Sequence, residues 1–378
     1  MQTRLIDLAD LQSLMDALAR RGFTVLGPTV REGAIVTAPV TSVDQLPVGW
    51  GDDQEAAYYR LRRRDDEAVF GFASGAQSAK PVFFPTEEVL WRGRRTAEGF
   101  EAEAADPRGN GPYALLGVRS CDLHAVGIHD TILRDRGFRD SAYAARRENA
   151  FVVAVSCSDP GGTCFCVSMG TGPRPVVGHG APFDLSLTEL LDESGHAFLV
   201  EVGSDRGAAI LDEIDAPHAD VRAQEQADRV AEQAALRMGR RLDTAGLKEL
   251  LYASADSPLW DDVATRCLAC GNCTAVCPTC FCTTVEDTTD LAGDHSGRAR
   301  VWDSCFSADF THLHGGNVRE TTRSRYRQWM THKLASWLDQ FGMSGCVGCG
   351  RCVTWCPAAI DITEEAAAHR AVAGGGPA

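Results

Sequence analysis

Near its carboxyl end the chain repeats one arrangement of cysteines. The stretch Cys267-Leu-Ala-Cys270-Gly-Asn-Cys273-Thr-Ala-Val-Cys277-Pro278 is followed, after a long interval, by Cys346-Val-Gly-Cys349-Gly-Arg-Cys352-Val-Thr-Trp-Cys356-Pro357. Both have the spacing C-x2-C-x2-C-x3-C-P, in which three closely set thiolates hold three irons of one 4Fe–4S cube and the fourth reaches a second cube. The spacing predicts crossed ligation. Cys267, Cys270, Cys273 and Cys356 would serve one cluster, and Cys346, Cys349, Cys352 and Cys277 the other. Gly271 and Gly350 allow the tight turns that aim amides at sulfur. Pro278 and Pro357 close each loop where no amide donor is needed. A zinc ribbon would use four ligands and leave the last cysteine and its proline unexplained in both runs. A disulfide framework belongs to small exported domains, which this chain does not resemble.

A second group of thiols lies in the first half. Tyr113-Ala-Leu-Leu-Gly-Val118 is an apolar run followed by Arg119-Ser-Cys121-Asp122, a helical pattern from Leu123 to Leu133, and a second run, Ala150-Phe-Val-Val-Ala-Val155, ending in Ser156-Cys157. Strand, helix and strand at this spacing predict a right-handed βαβ unit with parallel strands. Cys121 and Cys157 would then sit at carboxyl ends of strands, where open α/β sheets place ligands. The glycine-rich loop Asp159 to Pro173 adds Cys164 and Cys166. Four thiols match the ligand number of a cube, so Cys121, Cys157, Cys164 and Cys166 are candidates for a third 4Fe–4S cluster. The bland alternative is a buried Cys121 acting as a small hydrophobe beside incidental thiols.

Of the fifteen cysteines, Cys280, Cys282 and Cys305 remain. Packing beside a cluster as soft hydrophobes is the plain reading for them, against a redox or substitute-ligand role. His124, His129, His312, His314 and His332 show no metal spacing.

The elements that must position these groups are partly legible. Leu8, Leu11, Leu14, Met15 and Leu18 have helical spacing before Gly22; Phe23 to Leu26 and Ala34 to Val40 read as strands. Gly51 to Arg63 is polar and aromatic and is expected to cover that early hairpin. Ala219 to Arg241 is rich in helix formers, and Asp243 to Ala253 and Pro258 to Thr265 continue as helices that deliver Cys267. Thr279 to Gly345, between the cysteine runs, is read as a helical insertion. Its best helix spans Arg319 to Gln340, with Tyr326, Trp329, Met330, Leu334, Trp337, Leu338 and Phe341 on one face. Arg319, Arg323, Arg325 and Arg327 crowd its start, either solvated or facing anionic clusters. The fold expected is an α+β or α/β N-terminal domain, residues 1–217, followed by a helical two-cluster ferredoxin domain, residues 218–378.

Composition narrows the setting. At 378 residues there is room for two domains. A net charge of -15 argues against a general nucleic-acid or anionic-membrane surface. Asp7, Asp10 and Asp16 interrupt the apolar core a signal peptide needs, and no apolar run approaches the roughly 18 residues of a membrane span. A soluble, cytoplasmic protein is expected, in which reduced cysteines read as metal ligands.

Five blocks carry a resemblance beyond the cysteine spacing. They are Gly117-Val-Arg-Ser-Cys-Asp-Leu123, Thr163-Cys-Phe-Cys-Val-Ser-Met-Gly-Thr-Gly-Pro173, Cys277-Pro-Thr-Cys-Phe-Cys282, Arg300-Val-Trp-Asp-Ser-Cys305 and Cys346-Val-Gly-Cys-Gly-Arg-Cys352. Over nearly its whole length the chain resembles the iron–sulfur beta subunit of cytoplasmic NiFe hydrogenases of the sulfhydrogenase type, and its relative, the iron–sulfur subunit of anaerobic sulfite reductase. The resemblance implies an electron-transfer role. Single electrons would pass between a reductase component that binds flavin and NAD(P) and the catalytic subunit, either of a NiFe hydrogenase or of a sulfite reductase. It also implies a C-terminal part similar to the helical ferredoxin of succinate dehydrogenase-type iron–sulfur subunits. The chain itself has no G-x-G-x-x-G after a strand, which places flavin and nicotinamide elsewhere. Every C-x2-C lies in a ferredoxin run or, as in Cys277-Pro-Thr-Cys280, starts from its last cysteine, which leaves no separate cysteine pairs for a nickel centre. The rival classes are a stand-alone thiol/disulfide reductase of heterodisulfide type, and a sensor or assembly protein with no electron partner.

Overall fold

Uninterrupted runs of β-branched and aliphatic residues build the central sheet. Phe151–Val155 is buried along its whole length, as a strand covered on both faces must be. In the computed structural model, which describes residues 3–104, 111–193, 195–214 and 216–374, it pairs in parallel with Tyr113–Arg119 on one side and Leu185–Asp192 on the other. The seven strands run in the order Thr3–Ile6, Gly195–Val202, Leu185–Asp192, Phe151–Val155, Tyr113–Arg119, Thr24–Arg31, Ala34–Pro39. The middle is parallel and both edges are antiparallel.

Helix Leu8–Arg20 opens on a capping box between Asp7 and Asp10 and buries Leu11, Leu14, Met15 and Leu18 against Phe151, Val153, Leu185 and Phe198. Each such side chain contributes about 1.5–3 kcal/mol of burial. Helix Ser120–Leu133 starts at the carboxyl end of Tyr113–Arg119, so the expected βαβ unit is present. A second crossover helix, Ser141–Asn149, precedes Phe151 and is capped by Asp140; its nine residues carry too little periodicity to stand out in sequence. The polar stretch near Gly51 forms the hairpin Trp50–Glu55 and Tyr58–Arg63.

The second half is held by an aromatic core. Helices Leu247–Ala253, Leu259–Arg266, Thr322–Thr331 and Ile362–Ala373 gather around Trp260, Tyr326, Trp329 and Met330. The long helix starts after a Thr321 cap, passes through a π-helical turn at His332–Ser336 and ends at Gly342, whose φ of 72° closes it. The segment between the cysteine runs differs from the helical insertion expected. Its first part is the hairpin Thr283–Thr289 and His295–Trp302, which joins the early hairpin Glu87–Thr96 and Gly99–Ala104 in one four-stranded antiparallel sheet. The β-branched Thr283, Thr284, Val285, Thr288 and Thr289 favour this outcome. Among the described residues no helix is long and apolar enough to cross a membrane.

Candidate iron–sulfur centres

The two cysteine runs fold into nearly the same backbone. Ala269 and Gly348, two residues after the first cysteine, have φ of 50° and 65°; Gly271 and Gly350, after the second, have 77° and 75°. Short helices Asn272–Ala275 and Arg351–Thr354 follow. The left-handed turns aim amides at sulfur: Ala269 N–H donates to Cys267 Sγ at 3.4 Å, Gly348 N–H to Cys346 Sγ at 3.5 Å, and Ile360 N–H to Cys356 Sγ at 3.4 Å. Donors pointed at thiolates are what a cluster-bound sulfur requires, so these residues fit a 4Fe–4S group. Ala269 holds a conformation that disfavours a Cβ, a local cost repaid by that amide.

The two runs interleave, and Cys277 acts on Cys273 of its own run as well as on the thiols of the second. Cys267, Cys270, Cys273, Cys352 and Cys356 line one pocket, walled by Phe306, Tyr326 and Trp329. Burial pushes Cys346 up to about 12 and also raises Cys349 and Cys352, and all three thiols feel the charge of Cys277. A buried thiol of that kind deprotonates only against a cation. Among the described residues no three Cys, His, Asp or Glu side chains close tightly enough for a single metal ion. Thiols around a multi-iron cube stand farther apart than the ligands of one ion at about 2.3 Å.

Two buried cations attend the second run. Arg351 follows Gly350, is 1 % exposed, and forms a forked pair with Asp122 at 2.8 and 3.0 Å while donating to the carbonyls of Gly75 and Gln77. Lys333 is 5 % exposed; its ammonium donates to Cys277 Sγ at 3.2 Å and Thr279 Oγ1 at 3.1 Å. Lys333 sits in the π-helical turn, which re-phases the helix so that this position joins the buried stripe. The arginines at the helix start do other work. Arg323 pairs with Asp261, Arg325 holds the carbonyls of Phe306, Arg319 and Glu320, and Arg327 holds that of Ala255. Sequence reading missed both cations. The signal for Arg351 was the mismatch between Gly-Asn in one run and Gly-Arg in the other; for Lys333 there was none, since a π turn has no local code.

The N-terminal thiols meet beside the second run. Cys121 begins helix Ser120–Leu133 and lies 3.8 Å from Ser74 Oγ. Burial raises it, and it feels the charges of Asp122, Arg351, Cys349 and Cys166. Burial pushes Cys164 up to about 12, with Cys157 adding to it. Cys166, raised by burial, feels Cys157, Cys164 and Cys349. The loop carrying Cys164 and Cys166 is stitched to the second run: Phe165 N–H donates to the Gly348 carbonyl at 2.8 Å, Cys164 Sγ to that of Cys349 at 3.8 Å, and Thr171 Oγ1 to that of Val347 at 2.5 Å. The four sequence-predicted thiols are thus neighbours, and Cys349 belongs to their surroundings.

Cys280, Cys282 and Cys305 lie on the other side, by the first run. Cys280 donates to Cys277 and so lowers it, with Lys333 reinforcing the effect. Cys305 donates to Cys282, which with help from Lys333 falls to about 7. All three thiols line a cavity of about 420 Å³ together with Arg319, His332 and Lys333.

Comparisons with known proteins agree with this geometry. A family model described as a 4Fe-4S dicluster domain matches residues 266–360. Over 262 residues the chain is 37 % identical to Sulfhydrogenase 2 subunit beta of Pyrococcus furiosus, an alignment covering 68 % of this chain and 74 % of that protein. No solved structure matches it. Paired cysteine cages of one backbone form, lying within the matched dicluster domain and carried in a chain so similar to that protein, make this an iron–sulfur electron-transfer protein that belongs to the family of sulfhydrogenase beta subunits.

Proposed function

We propose that this chain relays single electrons within a cytoplasmic NiFe hydrogenase, between a reductase component that binds flavin and NAD(P) and the catalytic subunit. Two 4Fe–4S clusters would be held by crossed sets, Cys267, Cys270, Cys273 and Cys356, and Cys346, Cys349, Cys352 and Cys277. A third would be held by Cys121, Cys157, Cys164 and Cys166. When bound, such clusters supply one-electron storage at potentials set by their surroundings. The chain's own residues supply amide donors, the apolar wall of Phe306, Tyr326 and Trp329, and the buried cations Lys333 and Arg351. The observation that carries the reading is the interleaving of the two runs: Cys356 and Cys352 line the pocket of Cys267, Cys270 and Cys273, and Cys277 acts on Cys346, Cys349 and Cys352.

A helical ferredoxin of succinate dehydrogenase type, with a domain division near 217/218, goes with this reading. The aromatic core around Trp260 supports it, and the shared hairpin sheet would be the seam.

Crossed ligation is tested by Cys277→Ser, followed by iron analysis and EPR. The expected loss falls on the cluster whose other ligands begin at Cys346; a loss confined to the Cys267 cluster refutes the crossing. The relay is tested by anaerobic purification of the tagged chain from its native host, with co-purifying subunits identified by mass spectrometry. Partners carrying flavin and nickel are expected. A sirohaem partner would move the assignment to sulfite reduction, and purification without a redox partner would overturn the relay.

A further inference from the structure

Three thiols have no place in the relay described above, yet they share one space. Cys280, Cys282 and Cys305 line the cavity of about 420 Å³ walled by Phe281, Phe310, Trp329 and Trp337. Cys280 and Cys282 also line a neighbouring cavity of about 260 Å³ that opens beside Cys270. The space is therefore continuous in its lining with the first cysteine run.

The charges around it are unusual. Lys333 and Lys80 are 5 % and 4 % exposed, and the partners found for their ammonium groups include no carboxylate. Lys333 donates to Cys277 Sγ and Thr279 Oγ1. Lys80 donates to the carbonyls of Ala275 and Cys280 and lies 3.6 Å over the Trp302 ring. A buried cation is tolerated when an anion compensates it. The thiols of Cys277 and Cys280 act on both lysines, and Asp303 shares the smaller cavity with Lys80; the cluster assigned to Cys277 answers Lys333 first, which leaves Lys80 facing the thiols of Cys280 and Cys282. Arg319 adds to the same rim.

We propose that Cys280, Cys282 and Cys305 are ligands of a further iron–sulfur cluster, bound through three protein thiolates. A small exogenous ligand or solvent completes the set. Ligation replaces three S–H bonds with Fe–S bonds and releases three protons, and the resulting anionic group compensates Lys80 and adds to the negative charge that faces Lys333. A single metal ion is a poor occupant, because no three ligating side chains among the described residues close tightly enough to hold one. The inference rests on the reading of the chain as an iron–sulfur protein, and is independent of which cysteines cross between the two runs.

The test is differential alkylation of the full chain, purified anaerobically and kept in a phosphine reductant, with iodoacetamide and peptide mass spectrometry. Cys280, Cys282 and Cys305 are expected to be protected alongside the cysteines of the two runs, and to become labelled once iron is stripped. The double variant Cys282→Ser with Cys305→Ser should lose about four irons per chain while the two runs stay protected. Full labelling of the three thiols in protein whose runs are protected would overturn the inference and leave the relay standing. Labelling of the runs as well would overturn both.

Discussion

The two cysteine runs share a backbone and differ in everything around it. In the first, Leu268 is 68 % exposed, and Cys270 and Asn272 face outward. In the second, the equivalent Val347 is 3 % and Arg351 1 % exposed. A Cβ on Gly271 would meet side chains alone, Ser304 at 3.1 Å and Thr274 at 3.9 Å, whereas one on Gly350 would lie 2.4 Å from the Thr163 carbonyl. The local code of left-handed turns and amide donors builds the cage in both places. The N-terminal domain then decides which cage is sealed and which remains open. A relay needs both kinds, since one centre must meet a partner and another must be shielded from solvent.

The comparison can be broken most directly at its central asymmetry. Arg351→Met strands Asp122 as a buried unpaired carboxylate and should cost about 3–5 kcal/mol, whereas Asn272→Ala at the equivalent exposed position should cost under about 1 kcal/mol. Denaturant unfolding of the two variants measures this; equal losses would mean the second run is not sealed by its arginine. Next come the paired glycines. Gly350→Ala adds backbone overlap to the left-handed penalty and should cost about 2–5 kcal/mol, against about 1–2 for Gly271→Ala. Iron content should fall in the first variant and hold in the second.

A smaller effect sharpens the comparison through pH. His129, buried under Phe84 and Phe281, is pulled down to about 3, chiefly by burial and then by Lys80. In the unfolded chain it would titrate near its ordinary value of 6.5. Below that pH the unfolded chain takes up a proton the native state refuses, so stability is kept above about 6.5 and lost as pH falls toward 3. By pH 5 the loss is about 2 kcal/mol. His129→Leu should flatten this part of the stability profile between pH 7 and 5, and an unchanged slope would show that the imidazole is accessible to protons.

What the sequence revealed and what it concealed divide along the same line. The cages, the βαβ unit and the helix Val221–Leu236 follow from residues close together in the chain, and each is where the pattern places it. Cys121, Cys157, Cys164 and Cys166 were readable as a group because each follows a strand end or sits in one loop. Their attachment to Cys349 was not, because Phe165 meets Gly348 only after folding. The partnership of Arg351 with Asp122 likewise belongs to tertiary structure. The hairpin at Thr283 was hidden because its outward face is polar, and what fixes it is a partner strand, Glu87–Thr96, far back in the chain.

That shared sheet has a consequence for how the molecule is made. Its inner pair joins a strand synthesised early to one synthesised late, and a pairing of such long reach must await the later segment and bear the entropy of closing a very large loop. During synthesis the early hairpin therefore emerges with an edge for which no partner yet exists, an edge of the kind prone to wrong pairings. The chain becomes whole only when the segment between its two cysteine runs has returned to cover that edge.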